Sequence, residues 1–155
     1  RVGRGMTAVV DYAHTADALE NVLVSLRETL PAGGRLGVLF GAGGDRDSGK
    51  RPLMGAVAER LADWVIVTSD NPRNEPAEAI IDAILAGTSD REGIEVIVDR
   101  RQAIAAGIRR LAAGQAGDCL LIAGKGHETG QQVGDETLPF DDRLVVREQA
   151  REVAA

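Results

Sequence analysis

Aromatic residues are scarce: Phe, Tyr and Trp make up 3% of the 155-residue chain. Proteins that hold single-stranded nucleic acid stack its bases on aromatic rings, so this role is disfavoured. Excess positive charge is lacking too. Lys and Arg number 18 against 24 Asp and Glu, a net charge of −6, whereas a duplex-binding module carries a basic face. Nucleic acid is therefore not expected as a partner. With a single cysteine no intrachain disulfide can form, and no CxxC pattern suggests zinc. That cysteine, Cys119, opens the apolar run 119–123 and is expected to be a buried structural thiol rather than a nucleophile. No apolar stretch approaches the ~18 residues of a membrane span, and residues 1–5 lack the apolar core of a signal peptide. A cytoplasmic location away from membranes is expected. The first strand pattern begins almost at once, with no initiator methionine, as in a domain cut from a longer polypeptide.

What is present reads as one ordinary domain, 44% apolar and 27% charged. Short apolar runs at 6–10, 36–40, 64–68, 95–98 and 119–123 predict five strands. Between them, apolar residues recur at helical spacing. Thr15 is a plausible N-cap for a helix through Leu19, Leu23 and Leu26, which Pro31 and Gly33-Gly34 stop. Further helices are predicted through Leu53–Leu61, 76–85 and 101–111. Residues 131–140 alternate weakly about Gly134-Asp135, suggesting a hairpin or an irregular excursion. Asp141-Asp142 are expected to cap a last helix through Leu144 to Ala150. Continuous apolar strands alternating with amphipathic helices predict an α/β domain: a Rossmann-like, doubly wound, mostly parallel sheet with helices on both faces.

Ligands of such sheets bind beyond the carboxyl ends of the strands. Four predicted strands end in polar or glycine-rich loops: Asp11-Tyr12-Ala13-His14, Gly41 to Lys50, Asp70-Asn71-Pro72-Arg73, and Gly124-Lys125-Gly126-His127-Glu128. Their convergence on one edge is the main physical signal. The second loop imitates two motifs and satisfies neither. Gly44 to Lys50 fits GxxxxGK, but Arg51 stands where a magnesium-binding Ser or Thr belongs, and Asp45 and Asp47 would repel a cradled triphosphate. Gly41-Ala42-Gly43 begins like GxGxxG, yet Arg46 replaces the third glycine. The loop offers exposed N–H groups, Arg46 and Lys50 to an anion, or else forms a solvated turn. Asp70 and Arg73 either pair with each other or recognise a zwitterion, Arg73 forking onto a carboxylate while Asp70 accepts from an ammonium. Glu128 adds a second anionic acceptor. His127 is more simply a packed histidine, and His14 a helper at the next helix start.

Together, DYAHT at 11–15, GGDRDSGKR at 43–51, DNPR at 70–73 and GKGHE at 124–128 resemble the Mur ligases, in their C-terminal domain, over essentially the whole chain. Ala16 departs from the proline that often follows DYAHT in that family. The resemblance implies that residues 1–155 bind an amino acid and complete an ATP site, with an N-terminal UDP-binding domain and a central ATPase domain lying outside this chain. It implies meso-diaminopimelate contacts from Arg46, Asp70, Asn71, Pro72, Arg73, Gly124 and Glu128. It places Asp11 and His14 near the nucleotide and Lys50 near the transferred phosphate; no catalytic residue and no metal ligand is assigned. Arg73 favours the diaminopimelate-adding branch, because lysine has no second carboxylate to pair with it. ATP and Mg2+ are the implied cofactors, UDP-MurNAc-L-Ala-D-Glu the implied acceptor, and the isolated domain is expected to be inert. A sibling Mur ligase or folylpolyglutamate synthase domain, and a non-catalytic Rossmann-type nucleotide-binding module, are the alternatives.

Overall fold

The structure, a computed structural model, describes residues 1–3 and 5–155. Strands β1 (Thr7–Asp11), β2 (Leu36–Phe40), β3 (Trp64–Val67), β4 (Ile94–Val96) and β5 (Cys119–Ala123) form one sheet in the order β1-β5-β2-β3-β4. Every neighbouring pair is parallel. The last of these strands in sequence is thus inserted between the first two. A separate antiparallel hairpin, β6 (Gly130–Val133) and β7 (Glu136–Pro139), follows β5.

Side chains of successive strand residues point to opposite faces, and the core divides accordingly. Val38, Phe40, Val65, Val67, Leu121 and Ala123 pack with helices α1 (Ala16–Thr29), α2 (Lys50–Leu61) and α3 (Ala77–Leu85). Leu39, Ile66, Leu120 and Ile122 pack with α4 (Arg100–Ala112) and α5 (Asp142–Ala154). This is the α/β fold with helices on both faces.

Local chemistry accounts for the element ends. Thr15 caps α1 by accepting from Ala18 N at 3.2 Å, with Ala16 at the first helical position. The fourth strand is shorter than its apolar run: Ile97 and Val98 leave the ladder, yet Ile97 N still donates to Val67 O, and Val98 O accepts from Ser69 N and the Thr68 hydroxyl. Only Asp141 caps α5, accepting from Arg143 N at 2.9 Å. Asp142, expected to share that cap, is instead fully buried against Arg100.

Candidate functional site

A cavity of about 320 Å³ opens at the carboxyl ends of β1, β2, β3 and β5. It is lined by Tyr12 and His14 after β1; by Gly41, Ala42, Gly43, Arg46, Asp47 and Lys50 after β2; by Asp70, Asn71 and Arg73 after β3; and by Gly124 and Glu128 after β5. Eight of the ten residues expected at a site therefore meet in one place. Two do not. Asp11 turns its Oδ1 onto Ala13 N at 2.8 Å, bracing the β1 exit. Pro72 is buried outside the lining.

The glycine loop and the DNPR turn are locked together. Gly44 N donates to Asn71 O at 2.8 Å, and Asp45 Oδ2 accepts from Asn74 Nδ2 at 2.9 Å. Glu75 receives Asp45 N at 2.7 Å and Arg51 Nη2 at 2.6 Å. That buried guanidinium also donates to Gly43 O at 3.1 Å. A side chain on Gly44 would collide with Pro72 O, so only glycine permits this approach. Asp45 is thus committed to the neighbouring turn.

Asp70 and Arg73 form no ion pair with each other; the described residues give Arg73 other partners. Its Nε donates to Gln132 Oε1 and its Nη1 to Gly44 O, both at 2.8 Å. The backbone sits at φ 52°, which a non-glycine residue rarely adopts, and hairpin contacts hold it there. Arg73 N donates to Gln132 O at 3.0 Å, and Gly134 N to Arg73 O at 2.7 Å. Nη2 has no hydrogen-bond partner among the described residues, and Arg73 lines the cavity. A guanidinium held on two edges and open on the third suits a carboxylate.

Gly124 stands at φ +116°, and a Cβ there would lie 2.5 Å from Asp70 Oδ2. The β5 exit and the Asp70 carboxylate are therefore in close contact, which only a glycine allows. Lys50, the first residue of α2, reaches across to donate to His14 O at 2.9 Å, joining the loops after β2 and β1. The Tyr12 ring lies 4.7 Å from that of His14 and 5.5 Å from that of His127, forming an aromatic rim.

Two further buried cations underlie this surface, and sequence patterning gave neither a role. Arg100 donates to Asp142 and also to Ser69 O at 3.0 Å and Ala123 O at 3.1 Å, the residues just before Asp70 and Gly124. Burial opposes its charge, but Asp142, with Asp70 and Glu128 farther off, outweighs this and raises its pKa. Lys125 has no exposed surface, and burial lowers its pKa against the pull of Asp70 and Glu128. Arg51, Gln131 and Gln132 were likewise given no place in the site. Gln131 Nε2 donates to Asp70 O at 2.8 Å, and Gln132 N to Asn71 Oδ1 at 3.0 Å. The one available signal was that Lys125 lies one glycine beyond an apolar strand, inside a motif already singled out. Among the described residues no group of three or more His, Cys, Asp or Glu is placed to hold a metal ion.

A parallel sheet with a cavity lined by both acidic and basic side chains at its carboxyl edge defines an α/β ligand-binding domain, and the family comparison says which kind. Residues 1–126 match the family "Mur ligase, glutamate ligase domain", and the chain belongs to that family. Among its relatives is a UDP-N-acetylmuramoyl-L-alanyl-D-glutamate–2,6-diaminopimelate ligase of Mesorhizobium japonicum, 55% identical over 97% of this chain and 30% of that protein. The ligase of the same name from Thermosynechococcus vestitus is 52% identical over 95% of this chain and 29% of that protein. A solved structure of a ligase of this name superposes over 100% of the chain, and 31% of its own, with TM-score 0.87 at 42% identity. The Mycobacterium tuberculosis folylpolyglutamate synthase covers 76% of the chain and 26% of its own at TM-score 0.56 and 22% identity, a likeness of fold. The chain spans about a third of the length of the relatives it matches.

Proposed function

We propose that this domain holds meso-diaminopimelate for an ATP-dependent ligase that adds it to UDP-MurNAc-L-Ala-D-Glu during peptidoglycan synthesis in the cytoplasm. Residues 1–155 act with an N-terminal UDP-binding domain and a central domain that carries the phosphate loop and the Mg2+. The observation behind this reading is Arg73, braced on two edges within one cavity that also contains Asp70, Asn71, Arg46 and Glu128. A molecule with two amino-acid heads presents carboxylates to Arg73 and Arg46 and an ammonium to Asp70 and Glu128. The backbone of Gly124 and the turn shaped by Pro72 complete the wall.

The nucleotide approaches from the other rim, at His14 and Lys50, with Asp11 bracing that loop. The naming of ADP and AMPPCP with the folylpolyglutamate synthase of this fold supports ATP as the energy source. ATP converts the acceptor carboxylate to an acyl phosphate, the diaminopimelate amine attacks it, and phosphate leaves. Clamping the far head group orients that amine, the kind of contribution positioning makes. Because the phosphate loop and acceptor site lie on other domains, the isolated domain has no ligase turnover.

A substrate panel on the whole ligase tests the assignment. Product is expected with meso-diaminopimelate and not with L-lysine, D-glutamate or D-Ala-D-Ala. Turnover with lysine at a comparable rate overturns the assignment to the diaminopimelate branch, and turnover by the isolated domain overturns the division of labour. Tight binding of NAD to the isolated chain, without any response to diaminopimelate, indicates a nucleotide-binding module instead.

A further inference from the structure

Lys125 lies beneath the cavity rather than in its lining, with none of its surface exposed. An ammonium removed from water requires acceptors close by. Its Nζ donates to Asn71 Oδ1 at 2.9 Å and to Gly130 O at 2.7 Å, and Glu128 Oε2 is 3.9 Å away. These partners belong to the DNPR turn, the start of the hairpin and the GKGHE loop, three segments that build the site.

An ammonium has hydrogen atoms to give and no lone pair to receive with. It therefore accepts only one orientation of the Asn71 amide, with oxygen toward Nζ. Gln132 N donates to the same oxygen at 3.0 Å and reinforces that choice. The Asn71 nitrogen is consequently turned to Glu128 Oε2, at 3.3 Å, with its second hydrogen remaining for the cavity that both residues line. Reversing the amide would set an N–H against the ammonium and a carbonyl against the carboxylate.

We infer that Lys125 is a positioning residue of this site: by fixing the Asn71 amide, it makes Asn71 a donor and Glu128 an oriented acceptor where the amino-acid head group binds. The inference deepens, and rests on, the reading of the cavity as an amino-acid site. Lys125 also supplies the buried positive charge beside Asp70 and Glu128. Without it Arg100 is left as the buried cation near the two carboxylates, and the Asn71 oxygen keeps only the Gln132 N–H to set its direction.

Two measurements test this separately from the identity of the ligand. In the whole ligase, Lys125→Met and Asn71→Ala are each expected to raise the KM for meso-diaminopimelate about tenfold, the loss of one charge-assisted contact, with the KM for ATP changing less than about twofold. Because Lys125 acts through Asn71, the double variant is expected to be no worse than the poorer single one. Fully multiplicative effects overturn the inference. On the 155-residue chain, nitrogen-15 NMR follows the Asn71 side-chain amide. In Lys125→Met this resonance pair is expected to shift and broaden while the backbone spectrum elsewhere is retained. An unmoved pair in a folded variant overturns the role of Lys125 whatever ligand binds. If the ligase ignores diaminopimelate altogether, the amino-acid reading fails and the NMR result still decides. Should Lys125→Met not fold, Asn71→Asp replaces it: a carboxylate there still accepts from Lys125 but cannot donate. The same tenfold rise in KM is then expected, and a wild-type KM overturns the proposal.

Discussion

Arg100 and Asp142 form an ion pair with no exposed side-chain surface, joined by Nη2–Oδ2 at 2.7 Å and Nε–Oδ1 at 2.8 Å. The remaining Arg100 contacts go to carbonyls at the ends of β3 and β5, so one guanidinium ties α5 to two of the site's loops. Removing one partner strands the other charge in the core, which costs about 3–5 kcal/mol. Asp142→Ala is expected to lose that much in urea unfolding, and the double replacement Arg100→Met with Asp142→Leu to recover a large part of it. A single variant within about 1 kcal/mol of wild type would contradict this account.

Arg73 is expected to tolerate no substitution. Arg73→Ala removes a charge-assisted contact worth about 1.5–3 kcal/mol, a tenfold to hundredfold loss of affinity. In the whole ligase the KM for meso-diaminopimelate should rise accordingly, with that for ATP nearly constant. Arg73→Lys keeps the charge but cannot serve Gln132 and Gly44 while presenting a further N–H edge, so it should resemble the alanine variant. Equal effects on both substrates would remove Arg73 from the amino-acid site.

Glu75 carries a pH dependence. Its hydrogen bonds from Arg51 and from Asp45 N hold its pKa below the ordinary 4.5. A carboxylate depressed on folding contributes stability that is complete above the unfolded value and is lost as pH falls through the folded one. Glu75→Gln should therefore melt below wild type at pH 7. The two curves should converge as pH drops from 4.5 into the range where wild-type Glu75 protonates. A gap independent of pH would mean that charge at Glu75 is immaterial to the loop.

Cys119 should be chemically silent. Burial pushes its thiol pKa up to about 11, leaving little thiolate at neutral pH. Iodoacetamide at pH 8 is expected to label it only after denaturation, with mass spectrometry as the readout. Labelling of the native protein at the rate of a free thiol would show that β5 opens readily.

Most of the fold was legible in the chain because buried parallel strands are written as unbroken apolar runs, as in Leu36–Phe40 and Cys119–Ala123, and helix starts such as Thr15 carry their own caps. The sheet order was not legible. Nothing in the run 119–123 says that it inserts beside β1 rather than extending the edge beyond β4. The cavity was legible through strand-end loops, since topology alone brings them together. Its support was not. Arg51, Arg100 and Lys125 read as surface charges until the fold supplies their partners, 24, 42 and 54 positions away in sequence for Glu75, Asp142 and Asn71. Pro72 and Asp11, named with their motifs, lie outside the cavity lining, where Asp11 accepts from Ala13 N and Pro72 O sits against Gly44.

The insertion of β5 between β1 and β2 has a consequence for synthesis. A ribosome delivering this chain from its amino end releases both flanking strands long before the one that must lie between them. Until residue 123 clears the exit tunnel, the edges of β1 and β2 that face each other across the gap remain unpaired, open to wrong partners or to a chaperone. Moving the segment that carries β5 ahead of β1 in a circular permutant would close this interval, and such a protein should gain more in soluble yield than in stability.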